Sequence, residues 1–485
     1  MKRSTKSTIF KFEEPVEKRQ KVEIVSQSSQ VQSETSQEIK HYEPLENGIY
    51  WTKVSVLDEK YNEKALYLFD LINRINPIAS IHFNFNMDVN FIIRNYPRRC
   101  REIPISLVIG RHHSSSLNNS IKQLKLSNVI TATAKLPIPY GTHHTKLSMF
   151  ESEDAVHVVI STANLISEDW TTNAFYYARA PFKESEHTAE QSTSKLAVQE
   201  VNPFQRDLIE YLKKGYSNSS AWKLVKYWVD RLSHGVDFSA IKDRIIASVP
   251  GRHLGSKMHL FGHMKLRKLL SQKFLPEQLK KLKVKICQFS SIGSMGGNPK
   301  TWLGDQFLDS LSGGKEFSTN ISTSLKLIFP TAEDVRTSLE GYMGGGSLMN
   351  YEETSNKQPF MISYLHQWRS DKLGRTHAMP HIKTFTALES ADGDSKPAWV
   401  VITSANLSQA AWGTLERTNS RKKQLFIRSY ELGVLLCADD HPELERLPLP
   451  YDLPLTKYSD SDRIWITDGT FLKPDINGNS WSRPE

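Results

Sequence analysis

The chain has 485 residues, with 62 Lys and Arg against 53 Asp and Glu, a formal charge of +9 that favours a polyanionic partner. With 39% apolar and 10% aromatic residues it has the material for a large core, which excludes a wholly disordered chain as well as collagen, coiled coil and solenoid. No run approaches the ~18 consecutive apolar residues of a membrane span, MKRSTKSTIFKFEEP has no signal-type apolar region, and Cys100, Cys287 and Cys437 are too sparse for a disulfide framework or a zinc site, so a soluble protein of a reducing compartment is expected.

In chain order, residues 1–45 are Gln-, Ser- and Glu-rich (QSSQVQSETSQEIK) and offer little apolar surface to offset the entropy of ordering. A disordered tail is expected there. Its clusters Lys2-Arg3 and Lys18-Arg19-Gln20-Lys21 read either as a nuclear address or as solvated charge. Amphipathic spacing in ALYLFDLINRI (65–75) and LIEYLKKGY (208–216) predicts helices. The runs HVVIST and AWVVITS predict short strands buried on both faces, each followed by a helix entry with Ser167 or Ser408 near the N-cap. Alternating elements of this kind predict an α/β fold of two similar α-β-α sandwich domains, 46–238 and 239–485. The join falls where SHGVDFSAIKDRIIASVPGR passes from a polar connection into a β-branched run, and the polar stretch 183–202 reads as an insertion loop.

The two-domain reading rests on an internal repeat. Val158-Val159-Ile160-Ser161-Thr162-Ala163-Asn164-Leu165 recurs as Val400-Val401-Ile402-Thr403-Ser404-Ala405-Asn406-Leu407, 242 residues on from Asn164 to Asn406. Upstream of each copy stands a His-x-Lys, His144-Thr145-Lys146 and His381-Ile382-Lys383; downstream, Ser167-Glu168-Asp169-Trp170 is echoed by Ser408-Gln409-Ala410-Ala411-Trp412. Three elements in one order point to a duplicated unit whose halves face one another.

In a strand, residues i and i+2 share a face, so each His projects beside its Lys while Thr145 and Ile382 turn away. An Asn closing the neighbouring strand adds an amide. Two such sets around one cavity suit a phosphodiester: Lys and Asn hold the non-bridging oxygens without a metal, one neutral His attacks phosphorus, and the other donates to the leaving oxygen and then activates water. A single H-x-K is common and either His alone reads as a surface or core residue, but a strand cap has no need of His-x-Lys in both copies. His112, His113, His253, His259 and His263 lack a metal-like companion set and read as surface residues, and Asp439-Asp440 as an exposed turn.

The segments GTHHTKLSMF, QFSSIGSMGG, DVRTSLEGY, AMPHIKT, VITSANLSQAAWG and IRSYELGVL resemble the eukaryotic tyrosyl-DNA phosphodiesterase family of the phospholipase D superfamily, over roughly residues 45–485. The wider superfamily places an Asp five residues after the Lys; here those positions are Glu151 and Leu388. The tyrosyl-DNA phosphodiesterases also lack that Asp, which argues against the alternative of another phospholipase D-like nuclease or lipid phosphodiesterase.

The resemblance implies that His144 is the nucleophile and His381 the general acid, then base. Lys146, Lys383, Asn164 and Asn406 would hold the phosphate, and Glu431 would accept from the His144 imidazole. A family Gln that pairs with the acid His has no clear counterpart: ungapped counting from Asn164 reaches Phe175, and nearby Asn173 either substitutes or leaves the contact missing. For DNA, Ser290, Ser291, Ile292, Gly293 and Ser294 resemble a strand-binding loop whose backbone N–H groups approach phosphate. Asn406, Leu407, Ser408, Gln409 and Ala410 would set a helix N-terminus at another phosphate. Phe85 stands where an aromatic could stack on substrate.

The implied activity is a metal- and cofactor-independent DNA repair hydrolase that frees a single- or double-stranded DNA end from the tyrosyl peptide of a stalled topoisomerase I, leaving a 3′-phosphate. A nuclear monomer with no membrane partner is expected, and preference for 3′ over 5′ adducts stays open.

Overall fold

The computed structural model describes residues 44–183, 201–315, 320–418 and 420–482. The expected tail with its two basic clusters, up to residue 43, and the expected insertion apart from its ends lie outside the described residues. Residues from Leu45 onward form one compact unit, and among the described residues no helix is long and apolar enough to cross a membrane.

Eighteen strands are described: β1 Gly48–Thr52, β2 Ala65–Leu66, β3 Ala79–Asn84, β4 Ile105–Ile109, β5 Val129–Thr133, β6 Leu147–Glu151, β7 Ala155–Ser161, β8 Ala174–Pro181, β9 Arg244–Ser248, β10 Gly251–Leu254, β11 Val284–Gln288, β12 Leu325–Ile328, β13 Leu365–His366, β14 Thr384–Leu388, β15 Trp399–Thr403, β16 Thr414–Arg417, β17 Lys423–Ile427 and β18 Glu431–Cys437. The first sheet runs β2-β1-β8-β7-β6-β3-β4-β5 and the second β13-β12-β11-β14-β15-β18-β9, beside a small sheet β10-β17-β16. Seven strands match in order and direction, the outermost being β1 and β9, each antiparallel to its neighbour β8 or β18. In each sheet three strands are parallel (β3, β4, β5; β11, β12, β13), and the first of these lies antiparallel to the strand that follows the His-x-Lys (β6; β14). That strand pairs antiparallel with the repeated run (β7; β15), and the run pairs antiparallel with β8 or β18. The sequence repeat is therefore a repeat of sheet topology, carried by strands from 48–181 and from 244–437.

Every residue of β7 and β15 is buried, as their mostly apolar, β-branched runs require. The two sheets share a core through Val158, Ile160, Val400, Ile402 and Val434. Helices Pro203–Tyr216 and Trp222–Ser233 close that core with Phe204, Tyr211, Val225 and Trp228. Helix Leu68–Ile75 packs the opposite face of the first sheet through Leu71 and Ile72. It starts later than its sequence segment, because Ala65 and Leu66 pair with Trp51 and Thr52 instead. Helix Pro203–Tyr216 extends the expected 208–216 backwards to Asn202, whose side-chain oxygen accepts from Phe204 N at 2.8 Å.

Four buried histidines are part of this scaffold. His82 bonds Ser148 (2.7 Å) and Tyr96 (2.7 Å), His143 bonds Tyr216 (2.9 Å), and His157 bridges Ser152 (2.9 Å) and Tyr177 (2.8 Å). His263, expected at the surface, is fully buried against Ser310 at 2.7 Å, because helix Gly262–Lys273 turns that face into the core. Asp440, expected as a plain turn residue, accepts from Lys273 at 2.6 Å. Burial holds His82 and His263 down to about 3 and His143 and His157 down to about 4.

The unfolded chain, with histidines near 6.5, binds more protons than the native state between about pH 6.5 and 4. Stability is therefore full above that window and falls as the pH drops through it, by up to about 1.4 kcal/mol per pH unit for each such histidine. Thermal unfolding from pH 8 to 5 checks this; a Tm flat below pH 6.5 would contradict it.

Candidate active site

His144 to Lys146 and His381 to Lys383 lie in extended backbone leading into β6 and β14, not within the strands as expected. The ladder still reaches them: Ser161 N donates to Lys146 O at 2.9 Å and Thr403 N to Lys383 O at 3.2 Å. The alternation of faces follows from this extension. Thr145 turns away to the Tyr211 hydroxyl at 2.6 Å, and Ile382 enters the shared core. Asn164 and Asn406 follow β7 and β15, and Glu431 opens β18.

Each histidine is held by the opposite half. His144 N donates to Tyr430 O at 3.1 Å, and His144 Nδ1 donates to Glu431 Oε2 at 2.9 Å, which turns Nε2 outward as the free nitrogen. Ser404 Oγ donates to the same carboxylate oxygen at 2.5 Å. Reciprocally, His381 N donates to Thr172 O at 3.3 Å, and Asp169 Oδ2 lies 3.1 Å from His381 Nδ1. The His381 contact is short but lacks hydrogen-bond alignment. The rings keep 15% and 9% of their side-chain surface exposed, so they border an accessible space.

The lysines are almost sealed. Lys146 Nζ donates to His144 O at 3.2 Å, Lys383 Nζ donates to His381 O, and both residues are 1% exposed or less. Burial lowers Lys146 to about 8 and Lys383 well below the usual lysine range, where Lys146 adds repulsion; Asp169 and Glu431 oppose both shifts. Burial likewise lowers His144 against the pull of Glu431, and lowers His381 to about 4 against that of Asp169. Burial disfavours the Glu431 charge, but His144, Ser404 and Lys146 outweigh it and hold that carboxyl below its ordinary range. The two sets are close enough to feel each other: Lys383 acts on His144 and Lys146 on His381.

Asn406 Oδ1 accepts from Ser290 N at 3.1 Å and Ser290 Oγ at 3.3 Å, which leaves its Nδ2 as the donor end. Asn164 is 9% exposed, and its assigned side-chain oxygen has no partner within the protein. Phe85, half-buried, sets its ring 5.5 Å from that of His144 and under the Lys146 ammonium at 5.8 Å, so it packs on the site's own groups. Its opposite neighbour is His113, at 5.2 Å.

The residues expected to contact DNA differ in exposure and in how their backbone is used. Ile292 and Leu407 are buried and bridge one another, so neither side chain faces solvent. Ile292 N donates to Met349 O (3.0 Å) and Gly293 N to Leu407 O (3.1 Å), so these two N–H groups are engaged within the protein. Gly293 is required for packing: a Cβ there would lie 2.4 Å from Ser408 Cβ. Ser294 is exposed, and Ser291, Ser408, Gln409 and Ala410 are partly so. Ser408 caps a single turn, Gln409–Trp412, by accepting from Ala411 N at 3.1 Å, too short a helix for a substantial dipole. Ser167 caps nothing with its side chain. Glu151, at the superfamily's Asp position, accepts from Tyr227 (2.7 Å) and Arg231 (2.5 Å) at the far end of β6, and Leu388 is core.

Asn173 does not support His381. It accepts from Thr162 Oγ1 at 2.6 Å and donates to the Asp169 carbonyl. Phe175 is buried in the apolar layer under Tyr50 and Trp170. Asp169 at His381 is the functional neighbour that sequence reasoning missed. The signal that could have found it is an acid in SEDW where the second copy has alanine.

The model of the family described as tyrosyl-DNA phosphodiesterase matches residues 48–459. The chain is 39% identical over 452 residues to the probable tyrosyl-DNA phosphodiesterase of Caenorhabditis elegans, covering 91% of this chain and 93% of that one. It is 32% identical to tyrosyl-DNA phosphodiesterase 1 of Arabidopsis thaliana, covering 91% and 77%. The fold superposes on the crystal structure of the yeast tyrosyl-DNA phosphodiesterase with a TM-score of 0.62 at 20% identity, over 86% of this chain and 99% of the yeast chain.

Glu431→Gln keeps the volume and removes the charge that fixes His144. The ¹⁵N shifts of the His144 ring should move from a single Nδ1–H tautomer to a mixture, and Lys146 should titrate below about 8. Unmoved ring shifts would contradict the role given to Glu431.

Proposed function

This chain belongs to the tyrosyl-DNA phosphodiesterase family, and from that premise we propose that its site hydrolyses the 3′-phosphotyrosyl bond left on DNA by topoisomerase I, through a phosphohistidine on His144. The observation that carries this reading is the crossed pair of imidazoles, each with Nδ1 beside a buried carboxylate of the other half, around two buried ammonium groups.

Lys146, Lys383 and the Asn164 and Asn406 amides hold the non-bridging oxygens and stabilise charge as it spreads over them. Nε2 of His144 attacks phosphorus; the P–N bond forms, the bond from phosphorus to the tyrosyl oxygen breaks, and His381 gives that oxygen its proton. His381, now neutral, takes a proton from water. The hydroxide attacks phosphorus, the P–N bond breaks, and DNA leaves with a 3′-phosphate while His381 is again protonated.

Charge supports this order. Two ammonium groups cancel two carboxylates, so the site is neutral when both imidazoles are neutral. An entering phosphodiester brings one negative charge, which favours a proton on His381 despite the burial that depresses its affinity when the site is empty. The substrate thereby draws in the acid that its cleavage requires. The enzyme acts as a monomer in the nucleus, consistent with its net charge of +9 and the basic clusters near its start.

Tyrosine release from a single-stranded oligonucleotide bearing a 3′-phosphotyrosine, in excess EDTA, tests the proposal against an unmodified 3′-hydroxyl strand. Turnover should be confined to the tyrosyl substrate and fall more than about 10³-fold in His144→Ala. Equal degradation of both strands would mean a general nuclease, and binding without release would mean a DNA-end binding module.

A further inference from the structure

The two halves correspond bond for bond around their histidines, and the correspondence exposes one substitution. His144 N donates to Tyr430 O as His381 N donates to Thr172 O. Two residues on, Leu432 N donates to Ser404 Oγ at 3.0 Å as Ala174 N donates to Thr162 Oγ1 at 3.2 Å. The residue between is Glu431 in one half and Asn173 in the other. Ser404 Oγ donates to the Glu431 carboxylate, as Thr162 Oγ1 donates to the Asn173 amide. Asn173 is one methylene shorter than Glu431, and its amide nitrogen is turned back to the Asp169 carbonyl, so the position that orients His144 does not reach His381.

The space is filled from one turn earlier in the chain. Asp169, 5% exposed, places Oδ2 3.1 Å from His381 Nδ1, and the same oxygen accepts from Asn164 N at 2.7 Å. We propose that Asp169 is the positioning residue for His381, holding the imidazole with Nε2 toward the scissile bond and supplying the negative charge that lets it work first as acid and then as base. This rests on the phosphodiesterase reading above. Through its shared oxygen, Asp169 also ties the loop that carries the phosphate-holding Asn164 to the acid of the other half.

The charges facing His381 are Asp169, Lys383 and Lys146. Those facing Asp169 are His381, Lys383 and Lys146. Burial and both lysines disfavour a proton on His381, and Asp169 is the group that opposes them. Burial likewise disfavours the Asp169 charge but is outweighed, first by His381, so the carboxyl stays ionised. Removing that charge leaves the ring facing two cations with no counter-charge.

Asp169→Asn is the test, since an amide oxygen still accepts from Asn164 N and only the charge is lost. Release of tyrosine, a poor leaving group that needs the acid, should fall about tenfold or more, while release of p-nitrophenol from the matching ester should change much less. The basic limb of the kcat profile on the tyrosyl substrate, where protonated His381 is lost from the complex, should move about one to three units to lower pH. Asp169→Glu, which restores the charge, should recover part of the rate. An equal loss on both substrates with an unmoved limb would overturn the proposal and leave Asp169 a structural residue. If the wild type released no tyrosine, the functional reading would fall, and NMR titration of the His381 ring would still decide this one. A midpoint lower in Asp169→Asn supports it, and an unchanged midpoint overturns it.

Discussion

The site depends on the crossed ties by which each half holds the other half's histidine. His144 stands on the first half and is fixed by Tyr430 O and Glu431; His381 stands on the second and meets Thr172 O and Asp169. Neither half alone contains a placed imidazole beside a counter-charge. The shared core of β7, β15 and β18 is therefore the element that assembles the chemistry as well as a source of stability. Displacing one sheet against the other by a fraction of a hydrogen-bond length would loosen both rings at once, which is why packing far from the substrate bears on the reaction.

Burial does two opposed things in this cluster. It strips water from two lysines and two histidines, which lowers the proton affinity of all four, and it strengthens the pull of the two carboxylates that oppose this. With both lysines protonated and both carboxylates ionised, the empty site is electrically neutral and ready for one negative charge. An anionic phosphodiester is the ligand that such a site is built to complete. The protein's overall positive charge acts at longer range, on encounter with DNA, and is screened by salt in a way that the buried groups are not.

The sheets, the duplication and the four His and Lys residues were legible in the sequence because their signals are local: apolar β-branched runs, an i, i+2 spacing, and a repeat in one order. Glu431 became legible only through resemblance, since a carboxylate at a strand start has no signature of its own. Asp169 was hidden for another reason. It acts on a residue 212 positions later, and it compensates for a shortened side chain at Asn173 that can be recognised only once the backbone register of both halves is known. The expected DNA contacts show the same limit of local signals: Ile292 and Leu407 look like loop residues, but they bridge two loops and are buried, and the N–H groups of Ile292 and Gly293 bond within the protein.

The chemistry turns on His144, oriented from the opposite half, giving its Nε2 lone pair to phosphorus. Its most direct test is to mix His381→Asn with a 3′-phosphotyrosyl oligonucleotide, quench under alkaline conditions that preserve phosphoramidates, and map the DNA-bearing peptide by mass spectrometry. A stable adduct is expected on the peptide containing Gly141-Thr142-His143-His144, carried by His144. An adduct on any other residue, or tyrosine release with no adduct at any time, would contradict it.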